Sequence, residues 1–163
     1  MARRKGISPV IATVIIVAVT IAVAIAVAFW MTGIVGLFTG AEKLEIVSIN
    51  AAPAAGGGGW TITITVRNTG TTTTAIDSIY INGYLAFPAG ANALTCVANL
   101  NPPNLPVQLI PGAQQDIIFN INQGPCNLGA GGNTVFNAAP GGSIEVKLHS
   151  TGGKEYPKLV VLP

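Results

Sequence analysis

The side chains that could do acid–base, nucleophilic or metal chemistry are few and scattered. His149 is the single histidine. It stands in SIEVKLHS, where Ile144, Val146 and Leu148 share one face of a strand and Glu145, Lys147 and His149 the other, so it reads as a solvated side chain. Asp77 and Asp116 fall in different candidate strands, and neither has a sequence neighbour that would make an acid–base pair; pairing in space stays open. With no nucleophile, base and orienting group in view, no enzyme is expected. No cofactor is expected either. The glycine run in AAPAAGGGG, Ala51 to Gly59, lacks the Lys-Ser/Thr and the following helix of a phosphate loop and reads as a hairpin loop.

Cys96 and Cys126 are the only cysteines. An even pair beyond a membrane-targeting segment reads as one disulfide formed outside the cytoplasm, with two unlinked buried thiols as the alternative. Closing about thirty residues stabilises a fold by roughly 3.6 kcal/mol on the chain-entropy model. No second pair or nearby histidine completes a ligand set, so no metal is expected. Thr71, Thr72, Thr73 and Thr74 offer a run of hydroxyls for O-glycans, or simply an exposed turn and strand start. No Asn-X-Ser/Thr sequon occurs.

Charged residues make up 9% of the 163-residue chain, against about 25% in ordinary soluble domains. The net charge of +2 is also segregated, because Arg3, Arg4 and Lys5 precede residue 6 and the remainder is close to neutral. Such a surface does not capture nucleic acid electrostatically. It suits varying salt and pH, or packing against copies of itself.

From Ile7 to Ala41 no charged residue occurs. As continuous helix this stretch would reach about 52 Å, well beyond a bilayer core. IAVAIAVA at Ile21 to Ala28 alternates like a strand, but an apolar segment this long must satisfy its backbone internally in lipid, which a lone strand cannot do. Ala12, Ala18, Ala22 and Ala26, with Ala24 and Ala28, thin the helix and permit close approach of neighbouring helices. Gly33, Gly36 and Gly40 lie near one helix face and read as a second close-approach face, a flexible neck, or a fraying end. Glu42, Lys43 and Glu45 mark the end of the apolar run as a solvated neck, a membrane boundary or inter-subunit salt bridges.

Beyond them the period changes to two. Trp60, Ile62, Ile64 and Val66 alternate with Thr61, Thr63, Thr65 and Arg67, the pattern of a half-buried strand. Further strands are predicted from Leu44 to Ile49, from Ala75 to Asn82 with a turn at Asn82-Gly83, near Val107, near Ile117, from Ser143 to Ser150 and at the C-terminus. Ala89 to Pro106 and Gln123 to Gly142 read as loops, each carrying one cysteine. The expected fold class is α+β: a long hydrophobic helix followed by an all-β, immunoglobulin-like antiparallel sandwich of about seven strands.

The N-terminus is too long and too apolar for an ordinary secretory signal, and its small residue precedes the apolar run. RRKGISPVIATVIIVAVTIAVAIAVAFW resembles the class III leader and first helix of archaeal type IV pilins, a match covering about the first 45 residues. The resemblance implies cleavage by a prepilin peptidase at Lys5, Gly6 and Ile7, between the last two, with loss of residues 1–6. It divides the chain into that leader, a helix over 7–41 serving first as membrane span and then as filament core, and a sandwich head over 42–163. Bacterial type IV pilins carry a glutamate as fifth mature residue, where this chain has Ile11; GISPVIATV looks more like an archaeal adhesion pilin than an archaellin. The resemblance further implies identical subunits as partners in a helical homopolymer, an assembly ATPase with its membrane platform, and a cell-surface filament drawn from the cytoplasmic membrane. The rivals are a monomeric single-span surface protein, a minor pilin-like component, and a ligand-binding head.

Overall fold

The computed structural model describes residues 9–38 and 40–163, with backbone alone for 35–38. The chain separates into two compact units, Met1–Gly40 and Ala41–Pro163. The first contains one helix, α1 (Pro9–Phe38). Pro9 is tolerated because the first turn of a helix needs no amide donor. The alternating segment Ile21 to Ala28 is helical throughout, so backbone satisfaction prevails over the period-two pattern. The helix stops at Phe38, short of the expected Ala41, and Gly40 lies outside it.

The second unit is an antiparallel sandwich. One sheet runs in the order β1 (Leu44–Pro53), β2 (Gly59–Asn68), β7 (Gln114–Asn122), β5 (Val97–Asn101). The other runs β11 (Glu155–Val161), β10 (Ser143–Ser150), β3 (Thr74–Ile81), β4 (Tyr84–Phe87), with β6 (Val107–Leu109) also on β3. A two-stranded ribbon pairs β8 (Gly124–Asn127) with β9 (Thr134–Ala138). Four of these strands, β4, β5, β8 and β9, go beyond the expected seven, and three of them fall in the stretches read as loops. They are four or five residues long, too short to display a period.

Alternation places the core. On β2 the side chains of Trp60, Ile62, Ile64 and Val66 are buried, while the threonines between them are half-exposed. They meet Ile117, Phe119 and Ile121 of β7 and, from the other sheet, Ile76, Ile79, Ile81, Ile144, Val146 and Leu148. Each such side chain contributes roughly 1.5–3 kcal/mol by leaving water. Phe119 stands edge-on to Phe87, with ring centroids 5.7 Å apart. Asn82 and Gly83 both take positive φ, 50° and 84°, which builds the tight β3–β4 hairpin.

Candidate functional site

The helix is where the composition is most extreme. Its large side chains stand in the open all round the axis: Val14 is 62% exposed, Ile21 55%, Trp30 66%. No face is reserved for water. Pro9–Ile34 is long and apolar enough to cross a membrane, and none of it is buried. The hydroxyls in the helix are turned inward on its own backbone. Thr13 donates to the Val10 carbonyl at 2.8 Å, Thr20 to Val17 at 2.8 Å, and Thr32 to Ala28 and Phe29 at 3.0 and 3.1 Å. Each polar side chain is thereby satisfied without water, which is what a dry environment demands.

At 3.6 residues per turn, Ala12, Ala18, Ala22, Ala26, Gly33 and Gly36 fall within roughly one third of the helix circumference. Ile11, Ile15, Val19 and Phe29 share that sector, so it is a series of notches between larger side chains rather than a flat stripe. A methyl added at Gly33 would meet nothing within 4 Å. Gly40, read from sequence as a third glycine on the face, is not on the helix at all. Lys5, Gly6 and Ile7 lie outside the described residues.

In the head, Cys96 and Cys126 are joined, with Cα atoms 5.0 Å apart, and both are buried. The bond ties the segment leading into β5 to β8, fixing the short ribbon against the larger sheet. Of the four threonines, Thr71 and Thr73 are exposed and Thr72 half-buried. Thr74 is buried, and its hydroxyl donates to Glu42 Oε1 at 2.6 Å, so the O-glycan expectation does not hold at that position.

The titratable groups are more organised than the sequence indicated. His149 Nδ1 lies 2.7 Å from Asp77 Oδ1 across the β3–β10 pair, both side chains about one third exposed. Burial pushes the Asp77 carboxyl up, but hydrogen bonds with His149 and Ser78, together with the His149 charge, outweigh it and hold the carboxyl below its ordinary value. Ser78 donates to the same carboxylate at 3.0 Å, so its hydroxyl is bonded to the carboxylate rather than to the imidazole, and no nucleophile–base pair is formed. Asp116 accepts from Thr65 at 2.8 Å, its direct cross-strand partner. Among the described residues no three His, Cys, Asp or Glu side chains gather to hold a metal. A cleft of about 300 Å³ beside Phe87, Leu100, Pro103 and Leu105 is walled by apolar groups and offers no catalytic side chain.

No family model and no curated protein matches the sequence. Among solved structures, the chain is similar to the archaeal flagellum of Methanospirillum hungatei strain JF1, at 18% identity over 94% of this chain and 88% of that one, with a TM-score of 0.46. It is also similar to the Iho670 flagellar-like filament, at 12% identity over 95% and 98% of the two chains, TM-score 0.34. A third likeness is to the apo PCuAC domain from PmoF1, at 13% identity over 76% and 98%, TM-score 0.42. The first two are filament proteins of flagellar type. With TM-scores below 0.5 these likenesses carry no argument, and the functional reading rests on this chain's own residues.

Two residues of the head have roles that the sequence does not disclose. Asn68 is fully buried, yet every polar group of its side chain is used: Nδ2 donates to the carbonyls of Thr72 and Leu109 at 2.8 and 2.9 Å, and Oδ1 accepts from the Gly70 amide at 2.9 Å. It thereby sets the loop that receives residues 41–43. Glu42 is the other. Bonds from the Ser150 and Thr74 hydroxyls and the nearby Lys154 charge hold its carboxyl below the ordinary value. An Asn closing a strand and a Glu after an apolar run carry no periodic signal, and only three-dimensional neighbours reveal them.

Proposed function

We propose that this chain is the major structural subunit of an extracellular archaeal type IV pilus that serves surface adhesion. The observation carrying this reading is α1: thirty residues, apolar on every side, with each hydroxyl bonded to its own backbone. Such a helix is insupportable in water and stable in two places, a bilayer or a bundle of its own kind. Passing from one to the other changes the hydrophobic term little, because lipid tails are as apolar as packed valines, so close approach at the Ala and Gly notches decides. Lateral repetition without closure produces an open helical polymer of identical subunits.

In this reading a prepilin peptidase cuts between Gly6 and Ile7, removing the three positive charges that hold the N-terminus at the cytoplasmic face. An assembly ATPase and its membrane platform then draw the subunit from the cytoplasmic membrane into the filament. The head, closed by its disulfide and close to neutral in net charge, forms the outer surface, with Thr71 and Thr73 as exposed candidates for O-glycans.

A second reading gains from the helix length. Ending at Phe38, with Pro9–Ile34 as its apolar span, α1 is about 39 Å of dry helix over that span, which a tilted single crossing accommodates. A monomeric surface protein anchored by one helix fits that span as well. Intact-mass and N-terminal analysis of material sheared from the cell surface separates the two. The pilus reading expects polymers whose subunits begin at Ile7 and carry the Cys96–Cys126 bond. Uncut monomers beginning at Met1 and retained in the envelope would refute it.

A further inference from the structure

The head takes hold of the chain before its first strand begins. The Ala41 amide donates to Thr71 Oγ1 at 2.9 Å, and the Thr71 amide returns to the Ala41 carbonyl at 2.8 Å. The amides of Thr69 and Gly70 both donate to the Lys43 carbonyl, at 2.9 and 3.0 Å. Between these two residues, Glu42 accepts from the Thr74 hydroxyl at 2.6 Å and is bonded by the Ser150 hydroxyl, and both of those partners are buried. Lys154 Nζ donates to the Glu42 carbonyl at 2.6 Å. The fit is close. A methyl at Gly152 would overlap the Glu42 carboxylate, and one at Gly70 would overlap the Ala41 carbonyl.

The partners matter because of where they sit. β1 is an edge strand, paired within its sheet to β2 alone; its first pair is Leu44–Asn68, and the Leu44 amide also donates to the Tyr156 hydroxyl of β11 at 3.2 Å. Tension on residue 41 would by itself peel β1 from β2 pair by pair, breaking few bonds at a time. Thr74 begins β3 and Ser150 ends β10, both in the opposite sheet. We propose that Glu42 is a clasp fastening the start of β1 to both sheets at once, so that pull arriving from the helix side is shared across the head instead of unzipping its edge. Several bonds to three separate segments must then open together. Whether lipid or other copies hold the helix, the same residues carry the pull, so the clasp stands independently of the pilus reading.

The test is amide deuterium exchange on the full chain in lipid nanodiscs, comparing wild type with Glu42→Ala and with the isosteric Thr74→Val, which removes only the donor. Both variants are expected to accelerate exchange at Thr69, Gly70, Thr71 and along β1 by about tenfold or more, while the amides linking β2 to β7 keep their protection. Unchanged exchange at β1 would overturn the clasp. Acceleration spread evenly over the head would also overturn it, since that would mark a general stability loss. Thr74→Val keeps the question decidable if Glu42→Ala does not fold. Polymerisation is not involved, so failure here leaves the pilus reading intact.

Discussion

Isoleucine and valine are prominent both in the helix and in the core of the head, yet they are answered in opposite ways. Ile64 on β2 is wholly buried, while Val23 on α1 is 55% exposed. On β2 Thr61, Thr63, Thr65 and Arg67 alternate with the buried residues and face outward, so the strand carries its own division between core and solvent. On α1 no such division exists, and the surroundings must supply what the sequence omits. A pattern with a polar face describes an element that the chain itself can bury; a pattern without one describes an element that must be buried by something else. The comparison can be broken from either side by placing a polar group where one region cannot bear it or removing an apolar group where the other depends on it.

The largest effect is expected from Ala22→Asp. A carboxylate at mid-helix costs roughly 2.5–3.5 kcal/mol in a bilayer, and the same charge recurs in every subunit of a bundle. Filaments counted by electron microscopy should disappear, while exchange protection of the head amides stays as in wild type. Normal filaments would show that the helix surface is not buried among copies.

Next in size is Phe119→Ala, the opposite perturbation. Phe119 is fully buried, and its truncation should cost the head about 3–5 kcal/mol. Denaturant unfolding of the full chain in detergent micelles, followed through the buried Trp60, measures it. Helical content of α1 should not change, since Phe119 packs in a core cluster made of head residues. Loss of the helix signal along with the head would show that the two regions are not energetically separate.

What the sequence disclosed follows the same division. The helix, the buried faces of β2 and β10 and the Asn82-Gly83 turn were legible because each has a period or a local turn chemistry. Strands β5, β8 and β9 were not, since four or five residues among prolines and glycines show no alternation and are held by pairing and the buried Cys96–Cys126 bond. The helix ends before the uncharged stretch does, because lack of charge does not mark a helix boundary: Gly40 lies outside the helix and Ala41 already belongs to the head's hydrogen bonding. His149 and Asp77 look solitary in one dimension because residues 72 apart become neighbours only when β3 pairs β10. In one dimension Glu42 fits a solvated neck, a membrane boundary or an inter-subunit salt bridge, because its partners lie far along the chain at Thr74, Ser150 and Lys154.

A smaller effect concerns acid. The folded-state values of Glu42 and Asp77 both lie below their ordinary values of 4.5 and 3.8. Each therefore binds its proton less readily in the folded head than in the unfolded chain. Their stabilisation is complete above the ordinary values and is lost as pH falls through the depressed ones. Both groups are partly exposed, so water screens the effect and keeps it modest. Melting of the head should fall more steeply below about pH 4.5 in wild type than in a Glu42→Gln, Asp77→Asn double variant, and equal slopes would mean that these carboxylates are unperturbed.

The smallest perturbation is the most discriminating. Gly33 lies within α1, the helix continues for more than a turn beyond it, and a methyl there would touch nothing among the described residues. Alanine in place of glycine favours a helix by up to about 1 kcal/mol, so Gly33→Ala should leave the isolated subunit in micelles as helical as before, or slightly more so. In a bundle the same methyl enters the notch shared with Ala22 and Ala26 and separates two helices that would otherwise touch. Filaments of this variant should melt at a lower temperature than wild type even though each subunit is individually no worse. Were the filaments to gain stability along with the subunit, Gly33 would be an ordinary glycine in a helix, and close approach would have to be sought around Ala12 and Ala18 instead.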